Sequence, residues 1–82
     1  MVQIITNFNL FTEKQKVLVY SNGDIIDDVD VNVDDLVNVI KGFKNKYGAE
    51  DITLIGDNNY LSKFKRDLSI DFSATKINIV QR

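Results

Sequence analysis

The chain has 82 residues, 44% of them apolar, and a formal net charge of −2, which bounds it to one small domain with a single modest core. It contains no cysteine and no histidine, so disulfides, thiolate metal sites and histidine-based acid–base chemistry are excluded. No apolar run reaches the ~20 residues of a membrane-spanning helix, and Met1-Val2-Gln3-Ile4 lacks a basic region ahead of a long apolar stretch, so a cytoplasmic location without a membrane partner is the expectation. Lys, Asn, Asp and Ile are abundant, as coding from an AT-rich genome gives, which fits a low-GC bacterium or its phage.

Val2 to Phe11 alternates as a strand. Val2, Ile4, Thr6, Phe8 and Leu10 share one face, and Gln3, Ile5, Asn7, Asn9 and Phe11 share the other, mostly wet one. Thr12-Glu13-Lys14-Gln15 is polar and predicts a reversal. Val17-Leu18-Val19-Tyr20 is apolar on both faces and reads as an interior strand. Ser21-Asn22-Gly23-Asp24 predicts a two-residue type I′ hairpin, because Asn and Gly both accept positive φ. A third strand therefore starts near Asp24 and runs through Ile25 and Ile26. Asp28-Val29-Asp30-Val31-Asn32-Val33 alternates too, and either continues that strand or forms an edge segment kept soluble by its acids.

A helix is predicted from Asn32 or Val33. Asn32 can cap it, and Asp34 and Asp35 suit the positive end of its dipole. Leu36, Val37, Ile40, Phe43 and Tyr47 form its apolar stripe, and Gly48 is placed to end it in a left-handed conformation. Gly42 inside the helix costs up to ~1 kcal/mol relative to alanine, which close approach to the sheet would explain. Ile52 to Ile55 is a short strand apolar on both sides, of the kind usually covered on both faces. Gly56 permits a sharp turn, and Asp57, Asn58 and Asn59 offer caps to a second helix whose Tyr60, Leu61, Phe64 and Leu68 fall at helical spacing. Thr75–Val80 alternates again, so residues 52–80 form a right-handed βαβ unit.

The fold class is thus α/β (α+β), a single small mixed sheet in the order β-β-β-α-β-α-β. That order resembles the ribonuclease H-like fold without its last helix. The resemblance covers nearly the whole chain and rests on element order alone. It implies clustered carboxylates holding two metal ions, one each on the first strand, the first helix and the end of the fourth strand. Here Val2–Phe11 has no acid, Asp34 and Asp35 stand only at the helix start, and Asp57 is alone. The set is incomplete, and nuclease activity is not expected. A second architecture, a β-β-α-β-α-β two-layer sandwich, follows if residues 24–33 are a loop.

Three candidate sites emerge. Gly56, Asp57, Asn58 and Asn59 lie at the carboxyl end of a strand and at a helix start, where open α/β sheets bind ligands. Asp57 puts negative charge there and disfavours phosphate, and turn and capping roles account for all four residues. Asp24, Asp27, Asp28, Asp30, Asp34 and Asp35 hold half of the chain's 12 acids. They do not form a calcium loop, since counting from Asp28 puts Val33 at the sixth position and Val39 at the twelfth, where glycine and glutamate are needed. As a patch they would dock a basic partner or imitate nucleic-acid charge, and as a solvated edge they need no function. Lys63, Lys65 and Arg66 form a small basic cluster around Phe64, and Lys41, Lys44 and Lys46 another, both compatible with plain helix surface. Tyr20, Tyr47 and Tyr60, and the serines and threonines, have no histidine to activate them.

The expected function is a small non-enzymatic protein–protein interaction module without cofactor or metal. Self-association would use an open sheet edge, with Val2–Phe11 and the acidic segment as candidates. Behind it stand a nucleic-acid-related binder or acidic inhibitor of a nucleic-acid-binding protein, and a degenerate metal-dependent hydrolase using Asp57.

Overall fold

A computed structural model describes residues 1–9, 11–71 and 75–81, and the backbone alone for residues 58, 59 and 71. The described residues form strands β1 (Val2–Asn7), β2 (Lys14–Ser21), β3 (Asp24–Asn32), β4 (Asp51–Gly56) and β5 (Lys76–Gln81). Helix α1 (Leu36–Tyr47) joins β3 to β4, and α2 (Asn58–Asp71) joins β4 to β5. The sheet order is β3-β2-β1-β4-β5. β2 is antiparallel to both its neighbours, and β1, β4 and β5 run parallel. The element order is the one that resembles the ribonuclease H-like fold, and the sandwich with residues 24–33 as a loop is ruled out by β3.

Asn22 and Gly23 both have positive φ, 52° and 88°, which gives the β2–β3 hairpin its predicted tight turn. β3 then runs the full length of the alternating acids and valines, with Val17 opposite Val29 and Lys16 opposite Asp30. The pairing shifts between Val19 and Tyr20, leaving Ile26 as an extra, bulged residue. Asn32 has extended backbone but makes no side-chain hydrogen bond to the helix, so the expected cap is not formed. A short 3₁₀ turn, Val33–Asp35, enters α1 instead. Gly48 ends α1 with φ 65° and donates its N–H to the Lys44 carbonyl at 2.9 Å. Gly42 is exposed, and a Cβ there would meet nothing within 4 Å. Close approach to the sheet does not explain it.

Two sequence expectations for β1 fail. The strand stops at Asn7, and it lies in the middle of the sheet with both edges paired. The free edges belong to β3 and β5. The strand stops because Gln15 seizes the chain that follows. Its Oε1 accepts from the Asn9 N–H at 2.7 Å, and its Nε2 donates to the Asn9 and Thr12 carbonyls at 2.9 and 3.2 Å. Gln15 is only 2% exposed, so these bonds meet the demand of a buried amide. Leu10, assigned to a strand face from sequence, lies outside the described residues.

β3, β1, β4 and β5 all point the same way, and each crossover steps in one direction across the sheet. Right-handed connections therefore put α1 and α2 on the same face. The core confirms it as one cluster. Leu36, Ile40, Leu61 and Leu68 from the helices are fully buried with Ile4, Val17, Val19, Ile52 and Leu54 from the sheet. Thr6 is buried among them and its hydroxyl donates to the Lys16 carbonyl at 3.0 Å. Among the described residues no helix is long and apolar enough to cross a membrane.

Candidate interaction surface

With both helices on one face, no helix among the described residues lies on the other face of the sheet. Side chains alternate along a strand, and directly paired residues share a face. The registers therefore place on this open face Tyr20 beside Ile25, Leu18 beside Ile5, Ile5 beside Thr53, and Ile55 beside Val80. Tyr20 and Leu18 are one alternation step apart on β2, as Thr53 and Ile55 are on β4. Ile25, Tyr20, Leu18, Ile5, Thr53, Ile55 and Val80 thus form a diagonal apolar stripe from one corner of the sheet to the other. At ideal spacings it is roughly 23 Å long. Ile25 and Val80 at its ends are 55% and 47% exposed, while the residues between are partly buried by one another.

Polar residues of both charges border the stripe. On one side lie Lys16, Asn7, Asp28 and Asp30, with Lys16 Nζ 3.5 Å from Asp30 Oδ1. On the other lie Gln3, Asp51, Lys76 and Asn78, with Asn78 Nδ2 donating to Asp51 Oδ1 at 2.6 Å. On the first side the surface sinks into a depression of about 390 Å³, floored by Ile5 and Leu18 and walled by Asn7, Asn9, Lys14 and Asp30. Asn9 and Thr12 at its rim flank Phe11, which is 96% exposed. The Phe11 N–H donates to Asn9 Oδ1 at 2.9 Å, a local side-chain turn that ends the strand and presents the ring.

The predicted site residues do not converge. Gly56 has φ 150°, and a Cβ on it would stand 2.8 Å from the Phe8 carbonyl oxygen, so its place is fixed by close packing. Phe8 in turn stacks on Tyr60 and meets Phe64 edge-on, both with ring centroids 5.5 Å away. The Asp57 carbonyl accepts the Tyr60 and Leu61 N–H groups at 3.2 and 3.1 Å, starting α2. The side chains of Asn58 and Asn59 lie outside the described residues.

The acidic segment is divided by strand alternation. Asp28 and Asp30 face the open side, and Asp24 and Asp27 face the helix side. Asp27 is engaged there, its Oδ2 accepting the Tyr47 hydroxyl at 2.5 Å with Lys46 Nζ 3.9 Å away. Lys46 also lies 5.0 Å over the Tyr47 ring, and its ammonium is held above the ordinary lysine range chiefly by hydrogen bonding with Tyr47. Lys63, Lys65 and Arg66 are exposed on α2, away from the open face. Lys63 borders a second depression of about 350 Å³ between the helices, opposite Asp34. Among the described residues no three acids gather to hold a metal ion.

Sequence reasoning passed over the open face because Gln3, Asn7 and Asn9 made one side of β1 look wet. The signal lay in the two strands read as apolar on both sides, Val17–Tyr20 and Ile52–Ile55. Comparison of the sequence with protein-family models and with curated proteins finds no match.

Proposed function

We propose that this chain is a small, non-enzymatic, cytoplasmic interaction module that works by protein–protein contact through the open face of its sheet. The diagonal stripe carries this reading. Parallel strands are normally covered on both faces, yet β4 and β5 present Thr53, Ile55 and Val80 on a side that neither helix occupies. A contiguous apolar patch rimmed by polar residues is the usual form of a contact surface. The bordering charges are of both signs, Lys14, Lys16 and Lys76 against Asp28, Asp30 and Asp51, which suits a protein partner better than a nucleic acid.

The test is a comparison of immobilised wild type with Leu18→Glu, exposed to extract of a low-GC bacterium and to the purified chain itself. Circular dichroism checks that the variant keeps its fold. Wild type is expected to retain a protein that the variant loses. Equal retention by both would show that the stripe is not the contact.

A further inference from the structure

We infer that the occupant of the open face is a second copy of this chain, related by a two-fold axis lying along the diagonal stripe. This rests on reading the stripe as a contact surface and goes further by naming its partner and geometry. A two-fold interface uses the same patch on both copies, so the patch must complement itself. The stripe does so under one orientation. The registers put Lys16 on β2 and Asp51 on β4 on opposite sides of the stripe, with Ile5 of β1 between them. At ideal spacings of about 4.8 Å between strands and about 6.6 Å between alternate residues, Lys16 and Asp51 are nearly mirror positions across the stripe. Rotation about an axis along the stripe lays Lys16 of each copy over Asp51 of the other, while stripe packs on stripe. An in-plane axis across the stripe instead sets Lys16 on Lys16 and Asp51 on Asp51, where like charges repel. The favoured axis makes the strands of the two copies cross at roughly 70°, close to the orthogonal class of sheet packing.

The β3 edge is a poorer route to the same dimer. β3 carries Asp24, Asp28 and Asp30 along its free edge, and pairing two such edges would align acids with acids. The face also sets the strength. Five strands of about six residues give a face of roughly 480 Å² per copy, so two copies only just reach the ~1,000 Å² of a specific interface. The dimer is accordingly weak and reversible. Lys16 still exposes 53% of its side chain beside Asp30, which leaves it free to swing toward a partner carboxylate.

Sedimentation equilibrium of the full chain, run up to ~1 mM, tests this with four variants, all checked for fold by circular dichroism. Wild type should form a dimer, and Leu18→Glu should abolish it. Lys16→Glu and Asp51→Lys should each weaken it roughly tenfold, and the double reversal Lys16→Glu/Asp51→Lys should restore most of the loss. Wild type that stays monomeric throughout overturns the second copy as occupant, and if the extract protein is still lost by Leu18→Glu, the contact-surface reading survives separately. A dimer untouched by Leu18→Glu overturns the open face as the seat of self-association, and equal retention of extract protein by wild type and Leu18→Glu overturns the contact-surface reading itself. A dimer that Leu18→Glu destroys but the double reversal fails to restore overturns the axis.

Discussion

The Tyr47 hydroxyl donates to Asp27 Oδ2 at 2.5 Å, tying the last turn of α1 to the free edge strand β3. The acid belongs to a segment that looks from sequence like a solvated patch, yet it holds a helix in place. Tyr47→Phe should cost about 1.5–3 kcal/mol, the usual range for a hydrogen bond to a charged group, measured by urea denaturation. A double-mutant cycle with Asp27→Asn should show positive coupling. Lys46 is largely exposed, and its raised pKa means that its small contribution is present below the ordinary lysine value of 10.5 and lost as pH rises through the folded value. Tyr47→Phe should therefore also flatten the alkaline limb of the stability profile.

Two glycines should respond in opposite ways to alanine. Gly56→Ala forces a Cβ against the Phe8 carbonyl and strains a backbone at φ 150°, so a loss of about 2 kcal/mol or more is expected. Gly42→Ala meets open space within a helix and should gain about 0.5–1 kcal/mol. Thermal unfolding of the two variants beside wild type decides both. A stabilised Gly56→Ala would contradict the packing of Phe8 against the β4–α2 corner.

Gln15 organises the β1–β2 connection through three hydrogen bonds to backbone. Gln15→Ala takes the side-chain acceptor from the half-buried Asn9 N–H, while the Asn9 carbonyl keeps its bonds from Thr12, and should destabilise by about 1–3 kcal/mol. Phe11→Ala, at the tip of the same loop, should change stability by less than about 0.5 kcal/mol because the ring is almost wholly exposed. Hydrogen exchange of the Asn9 amide should accelerate in Gln15→Ala and stay slow in Phe11→Ala.

The one-sided core makes neighbouring residues on one strand unequal. Leu54 is fully buried beneath the helices, and Leu54→Ala should cost about 3 kcal/mol. Ile55, next in sequence, faces the open side, and Ile55→Ala should cost about 1 kcal/mol or less at concentrations where the chain is monomeric. Comparable losses at both positions, read from chemical denaturation, would mean that something covers the second face.

Local signals were the legible ones. Asn22-Gly23 announced the hairpin and Gly48 the end of α1, because only a few residues accept positive φ. The spacing of Leu36, Ile40, Leu61 and Leu68 gave the helical faces, and the alternation of Asp28 to Asn32 allowed the strand that β3 became. What stayed hidden depends on partners distant in sequence. Nothing near β1 says that Asp51–Gly56 will pair along its second edge, so it looked like an edge itself. Gln15 looked like an ordinary turn residue because its partners, Asn9 and Thr12, become its partners only once the chain has turned. The stripe was invisible for a related reason, since its members come from five strands and are neighbours only after the registers are set. Gly56 was legible as a turn, but the carbonyl that excludes any other side chain belongs to Phe8.

The central place of β1 governs how the chain can reach its native state. Gln3 pairs with Tyr20 on one side and with Asp51 on the other, so β1 must wait for β4, some 44 residues on in sequence, before its second ladder can close. The β2–β3 hairpin can zip early from its Asn22-Gly23 turn, while the β1–β4 step carries the loop-closure entropy and sets the rate. Until that step is complete, Ile52 and Leu54 lack their pairing with Ile4 and Thr6, and chains at this stage are the ones most exposed to aggregation.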